Sequence, residues 1–175
     1  MSTPAAPPDP WLRGPVAEIP ALLQPVAHAF IAAREDVDRA LAGVGSDELW
    51  ARPAGVASLG FQLAHLAGST DRLLTYARGE ALAEAQRADL ARERAIADAR
   101  PNAEDLVAAF RETIRRALEQ LAATGEATLR EPRVVGRAQA ASTVLGLLFH
   151  AAEHAARHAG QIVTTAKIVR GSELQ

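Results

Sequence analysis

Four long amphipathic segments make up most of the sequence, and glycine or proline separates each from the next. Within each segment apolar residues recur every three or four positions, which is the period of an α-helix with one buried face. The predicted helices begin at residues 20–25, 58, 102 and 142–143, and they end near residues 41, 79, 125 and 171. Ser58 and Asn102 are suited to cap helix starts, and Gly79 and Gly125 are suited to stop helices. These boundaries predict an all-α protein.

Three shorter stretches connect the predicted helices. Residues 46–53 (SDELWARP) predict a short capped turn that Trp50 anchors against the core. The charged residues 81–99 predict a peripheral helix or helical linker with a solvated face, and residues 125–141 predict an irregular crossover with a short extended piece. Four helices with such a crossover indicate an up-down four-helix bundle with a long crossover before the last helix. We assign residues 1–19 to a proline-rich lead-in and residues 20–175 to a single domain.

Composition narrows the possible functions. Aromatic residues make up only 4% of the chain, which favours helices over sheets, and the net charge of −2 with interspersed charges does not indicate nucleic-acid binding. The chain contains no cysteine, which excludes disulfides, thiolate zinc sites and a cysteine nucleophile. Histidines and carboxylates are therefore the available metal ligands. No apolar run has the length of a membrane span and no signal peptide is visible, so a cytoplasmic protein without a membrane partner is expected.

Three of the five histidines stand at four-residue intervals in the last predicted helix, at positions 150, 154 and 158. Each such step turns a helical side chain by about 40°, so the imidazoles share one face and two of them can bind one metal ion. His65 in the second helix can supply a third nitrogen, with coordination positions left for water or substrate. The alternative, that these histidines are hydrogen-bonded residues of an apolar core, stays open. His28 is predicted to be an ordinary histidine that is partly exposed or hydrogen-bonded.

The residues around the histidine pair, together with motifs that the sequence lacks, disfavour several enzyme classes. Gln161 returns to the same helix face and can orient a ligand or a bound water, or it can be a polar residue at the bundle end. Glu153 and Arg157 each precede a histidine by one residue and are predicted to point away from it. Ala155 follows His154, so the glutamate of an HExxH peptidase is missing. No paired Glu-x-x-His motifs of a di-iron bundle, no G-x-S-x-G elbow and no glycine-rich phosphate loop are present.

The stretches SDELWARPAGVASLGFQLAHLAGSTDRLLTYARGE and HAAEHAARHAGQI, taken together, resemble the DinB-like superfamily of metal-binding four-helix bundles. The resemblance extends roughly from residue 28 to the C-terminus. In that family one histidine of the second helix and two of the fourth bind a divalent metal, often zinc or nickel. The resemblance assigns these roles to His65, His154 and His158. His150 is not required by the pattern and is expected to support the ligands or to line the pocket.

Relatives in this family are commonly homodimers, and some are transferases or isomerases that use a low-molecular-weight thiol such as bacillithiol or mycothiol. The resemblance therefore implies a metal-dependent enzyme that acts on a small molecule, with thiol S-transfer as the leading hypothesis. Because the chain has no cysteine, the thiol must come from a cofactor or substrate. A metal-dependent hydrolase and a non-catalytic, metal-binding dimeric bundle of stress-response type are the alternatives.

Overall fold

A computed structural model describes residues 7–172 of the chain. Its helices and strands, in chain order, are α1 (Gln24–Leu41), α2 (Ser46–Trp50), α3 (Leu59–Ala77), α4 (Glu84–Arg94), α5 (Ile96–Ala99), α6 (Ala103–Ala123), β1 (Pro132–Val135), β2 (Ala140–Thr143) and α7 (Val144–Ser172). Helix α7 packs against α1 and α3, and α6 packs against the same two helices from the other side. The predicted all-α four-helix bundle is confirmed. No described helix is both long and apolar enough to span a membrane.

The core consists mainly of apolar side chains from the four long helices, with Leu23 from before α1 and Leu49 from α2. The fully buried members with the largest side chains are Leu23, Phe30, Val37, Leu49, Leu59, Leu63, Leu66, Phe110, Ile114, Leu121, Leu148 and Ile162. They recur at the helical spacing from which the bundle was predicted. Helix α7 also buries Ala151, Ala155 and Ala159, and these small side chains allow neighbouring helices to approach closely.

Hydrogen bonds between helices define their directions. Gln62 near the start of α3 donates to Thr165 near the end of α7 (3.2 Å), so these two helices are antiparallel. Gln120 near the end of α6 donates to the Leu74 carbonyl near the end of α3 (3.0 Å), so α3 and α6 are parallel. Arg170 near the end of α7 donates to the carbonyl of Ala42 just after α1 (2.7 Å), so α1 and α7 are parallel. The helices consequently run up, down, down and up. The bundle is as predicted, but the connection that runs along its length lies between α3 and α6 and not before the last helix.

The two long connections follow from these directions. The segment before α7 crosses one end of the bundle, and its predicted extended piece is a β-hairpin in which Pro132 of β1 lies opposite Thr143 of β2. The segment between α3 and α6 has a longer path, because two parallel helices require the chain to return along the whole bundle. Helices α4 and α5 make this return beside α3.

Local sequence accounts for the helix ends. The Ser58 hydroxyl accepts a hydrogen bond from the Phe61 amide (3.3 Å) at the start of α3, and Asn102 caps α6, as predicted. Gly79, two positions after the end of α3, has φ +78°, a conformation that favours glycine. The last helix instead continues through the predicted stop at Gly171 to Ser172, because Gly171 keeps a negative φ.

Trp50 anchors the turn before α3 as predicted. Its indole packs so closely on α3 that a Cβ added to Gly60 would lie 2.6 Å from the tryptophan ring.

In the predicted lead-in, Arg13 makes two hydrogen bonds to Glu35 of α1 (2.6 and 2.8 Å), which hold the pKa of this carboxyl below its usual value. Residues 1–6 of the lead-in lie outside the described residues.

A candidate three-histidine metal centre

His65 of α3 and His154 and His158 of α7 lie together at the contact between these two helices. The Nε2 atoms of His65 and His154 are 3.3 Å apart. The ring of His158 lies 4.4 Å from that of His154 and 4.9 Å from that of His65, measured between ring centres. One ring nitrogen from each residue lies within 4.8 Å of the other two. The structure therefore brings together the three residues that the sequence analysis selected as ligands.

Helix geometry produces this arrangement from distant parts of the chain. His154 and His158 project from one face of α7, one turn apart. The antiparallel α3 places His65 opposite them. His65 is followed by fully buried Leu66, and His154 and His158 are followed by fully buried Ala155 and Ala159. The histidines thus stand at the edge of the core, where their rings are half-buried.

The electrostatic state of the rings fits a metal site. Burial, followed by the charges of His158 and His65, lowers the pKa of His154 to about 4. Burial, again followed by His65, also lowers the pKa of His158. Neutral imidazoles keep a lone pair for a metal ion at neutral pH. His154 and His158 therefore add no positive charge to the cluster at neutral pH.

The distances and donor types also fit a divalent ion. Two nitrogens that bind one tetrahedral zinc ion lie about 3.3–3.4 Å apart, as the Nε2 atoms of His65 and His154 do. The buried Nδ1 atom of His158 has no hydrogen-bond partner in the protein. Neutral imidazole nitrogens suit zinc, nickel, copper and iron. The residues present thus fit the metal that the family resemblance implies.

A buried carboxylate contacts His65 at Nδ1, the ring nitrogen other than the one that faces His154. Glu93 of α4 is 8% exposed, and its Oε1 lies 2.6 Å from His65 Nδ1. Its Oε2 lies 3.1 Å from Nη1 of Arg72. Burial alone would raise the pKa of Glu93, but the hydrogen bond from His65 and the charge of Arg72 outweigh burial and lower it. The ionised carboxylate accepts the Nδ1 proton of His65, so the Nε2 lone pair faces the other two histidines.

Residues 81–99 contain a largely exposed peripheral helix, in line with the prediction, but the other face of α4 carries Glu93, which the sequence analysis did not identify. In helix α4, Gln86 donates to Asp71 and Thr75 of α3 (2.6 and 2.7 Å), and Glu93 is the one buried residue. Both of these residues that contact α3 are polar, so a search for apolar periodicity misses this face. Phe61, which stacks on His65 at 6.0 Å between ring centres, was also not predicted as part of the site.

Arg157 corrects a prediction. Its position was expected to point away from the histidines, yet its Nη2 lies 2.9 Å from His154 Nδ1. The long arginine side chain reaches back over one helical turn to the residue three positions earlier. The guanidinium can only donate, so His154 accepts at Nδ1 and carries its proton on Nε2.

The other two predicted site residues lie at the edge of the cluster. His150 is 52% exposed in its side chain, lies 5.8 Å from His154 between ring centres, and approaches Glu153 to 3.4 Å. Gln161 is exposed and offsets part of the fall in the pKa of His158, but no direct hydrogen bond of normal geometry joins them. His28 lies elsewhere and contacts the Gly14 carbonyl (3.0 Å), in line with the ordinary role predicted for it.

A cavity of about 590 Å³ lies between α3 and α6 under α4 and α5. Glu93 and Arg72 form part of its wall, but none of the three histidines does. The cavity is therefore next to Glu93 and Arg72, which hold His65, and does not open onto the three histidines. The cluster instead has a partly exposed side of its own, since the side chain of His65 is 27% exposed.

The sequence also matches the model of a known family. The DinB superfamily model matches residues 29–162, a span that includes all three clustered histidines and Glu93. No curated protein matches the chain. The family match covers most of the chain and agrees with the observed helical bundle. The chain therefore belongs to the DinB superfamily.

Proposed function

We propose that this chain is a metal-dependent enzyme that transfers a low-molecular-weight thiol to a small electrophilic molecule. The observation that supports this function best is the convergence of three histidines, one of them oriented by a buried carboxylate, on a partly exposed surface. Structural zinc sites usually have four protein ligands, whereas a site with three leaves a position for a reactant. Zinc or nickel is the proposed ion.

The roles of the residues follow from their contacts. His65, His154 and His158 would hold the ion, and Glu93 with Arg72 would keep the ring of His65 in place. When bound, the ion supplies Lewis acidity that favours the thiolate form of a nearby thiol. In the transfer the S–H bond is lost and its proton passes to solvent, a new S–C bond forms, and the leaving group departs with the electron pair of the bond that breaks.

The reacting thiol cannot belong to the protein, because the chain contains no cysteine. Phe61 against His65 and the exposed His150 lie beside the cluster, where they can contact an organic substrate.

We also propose a homodimer, since Phe149 on α7 and Leu22 before α1 are about 60% exposed and a second copy would cover such apolar side chains. Light scattering tests this, and the mass of a monomer, 18.5 kDa, would contradict it.

Metal analysis of the purified protein tests the site. We expect about one zinc or nickel ion per chain in the wild type and loss of that ion in the double variant His154→Ala/His158→Ala. His28→Ala is the matched control, because it removes an imidazole outside the cluster. Equal metal content in the double variant and the control would contradict the proposed ligands.

Activity assays then test the reaction. The metal-loaded protein is incubated with an electrophile such as 1-chloro-2,4-dinitrobenzene, with and without each of several low-molecular-weight thiols. We expect thiol consumption that depends on His154 and His158. Turnover of an ester without thiol would favour the hydrolase. Metal that resists chelation, supports folding and gives no turnover would favour a structural role.

A further inference from the structure

A second cleft, of about 1110 Å³, lies between α4, the end of α3 and the β-hairpin. The charged residues along it are four arginines and one glutamate, namely Arg87, Arg94, Arg133, Arg137 and Glu80. The whole chain, by contrast, has a net charge of −2. Positive charge is therefore concentrated at this cleft in a protein that is slightly acidic overall.

Most of this positive charge is not neutralised by the protein. Glu80 is bound by Arg78 outside the cleft (2.9 Å), and Glu131 binds only Arg133 (3.0 Å). Among residues 7–172, neither Arg94 nor Arg137 has a carboxylate within ion-pair distance. Arg87 makes its hydrogen bond to a backbone carbonyl, which carries no net charge.

The walls between the arginines are largely apolar. They include Leu82, Leu90, Pro132 and Val134, and Tyr76 adds an aromatic ring with a hydroxyl group. A guanidinium group binds carboxylates and phosphates through two parallel hydrogen bonds. Apolar walls with a few charged groups are typical of sites for small organic ligands. The cleft combines both kinds of surface.

We propose that this cleft binds a small organic anion, a phosphate or carboxylate attached to an apolar body. Arg94 and Arg137 bind the anionic group, and Leu90 and Val134 contact the apolar body. The cleft is distinct from the histidine cluster, because none of the three histidines lines it. Its Tyr76 follows His65 by eleven positions, or about 16 Å along α3. Arg94 is next to Glu93 in sequence, but Arg94 lines this cleft and Glu93 does not. The site therefore does not depend on the proposed function.

Titration of the full chain with phenyl phosphate and with benzoate, followed by NMR chemical shifts and calorimetry, tests this site. We expect saturable binding of at least one of them, weakened by added salt. Inorganic phosphate should bind more weakly than phenyl phosphate, and uncharged benzyl alcohol should not bind. Absence of saturable binding by both organic anions would overturn the proposal, as would equally tight binding of benzyl alcohol.

Variants locate the binding. Arg94→Ala/Arg137→Ala should weaken the affinity at least tenfold, and both residues are exposed, so the fold should be kept. Arg111→Ala/Arg115→Ala removes the same charge from α6 and should leave the affinity unchanged. His154→Ala/His158→Ala should also bind normally, which separates this site from the metal centre. Equal weakening by the two double arginine variants would show a general charge effect and overturn the proposed site.

Discussion

The histidine cluster meets a charged residue on each of two sides, and the two contacts have opposite chemistry. On the α4 side, Glu93 is buried and accepts the Nδ1 proton of His65. On the α7 side, Arg157 is half-exposed and donates to Nδ1 of His154. A neutral imidazole has one proton, so a partner at Nδ1 determines whether Nε2 carries a lone pair.

The two contacts leave His65 with a free lone pair on the nitrogen that faces the cluster and His154 with a proton on that nitrogen. His65 presents its Nε2 lone pair to the cluster, and its contact with Glu93 is compatible with a metal ion at that atom. His154 instead carries its proton on Nε2 and shares it with His65 at 3.3 Å. An ion at His154 Nε2 requires the proton to move to Nδ1, where Arg157 could no longer donate. We infer that Glu93 favours metal binding and that Arg157 opposes it.

The largest expected effect is that of Glu93→Gln. The amide keeps the size of the side chain but removes the charge that orients His65 and pairs with Arg72. Loss of such a partner typically weakens metal binding by about 10–100-fold. Zinc titration by calorimetry measures the effect, and Glu112→Gln, which changes an exposed glutamate on α6, is the control. Equal affinities in a folded Glu93→Gln protein would contradict the role of Glu93.

Arg157→Ala is expected to act in the opposite direction. Removal of the guanidinium frees Nδ1 of His154 to carry the proton, so zinc affinity should rise by about threefold to tenfold. Lys167→Ala removes the same charge from a more distant exposed position on α7 and should change the affinity less. Weaker binding in Arg157→Ala would show that the arginine supports the site.

A smaller effect is expected from Gly68→Ala. An added Cβ would lie 2.8 Å from Nη1 of Arg72 and 2.9 Å from Oε2 of Glu93, so both side chains must shift. Zinc affinity should fall by about threefold, less than in Glu93→Gln. Amide exchange in α4 should become faster, because Glu93 is the only residue that this helix buries.

Gly160→Ala is the matched control for Gly68→Ala. This helical glycine of α7 has no heavy atom within 4 Å of the added Cβ. Both substitutions improve helix propensity by up to about 1 kcal/mol, so denaturant unfolding should show Gly160→Ala to be at least as stable as the wild type. Its zinc affinity should not change. A similar loss of affinity in both variants would contradict a specific effect on Glu93.

The sequence predicted the bundle and the histidine pair of α7 for the same reason. Both depend on helical periodicity, which predicts the buried faces of the long helices and places His154 and His158 on one face. The link from this pair to His65 came from the family resemblance and from the need for a facing helix. Periodicity alone does not determine which helices are neighbours.

Glu93 and Arg157 could not be predicted in the same way. The contact of Glu93 with His65 depends on the parallel arrangement of α3 and α6, which long-range packing determines. The contact of Arg157 depends on the reach and rotamer of a long side chain and not on the direction of its Cα–Cβ bond. The position of the imidazole protons follows only from these contacts.

The segment that returns beside α3, residues 78–102, affects which substitutions the protein can accept without a change of fold. Helix α3 has 19 residues and is about 28 Å long, a distance that about nine extended residues can span. Residues 78–102 far exceed this requirement. The surplus forms a wall that presents Glu93 to the cluster on one face and arginines to the second cleft on the other. Substitutions in this one segment can therefore alter both sites while the four-helix core stays the same.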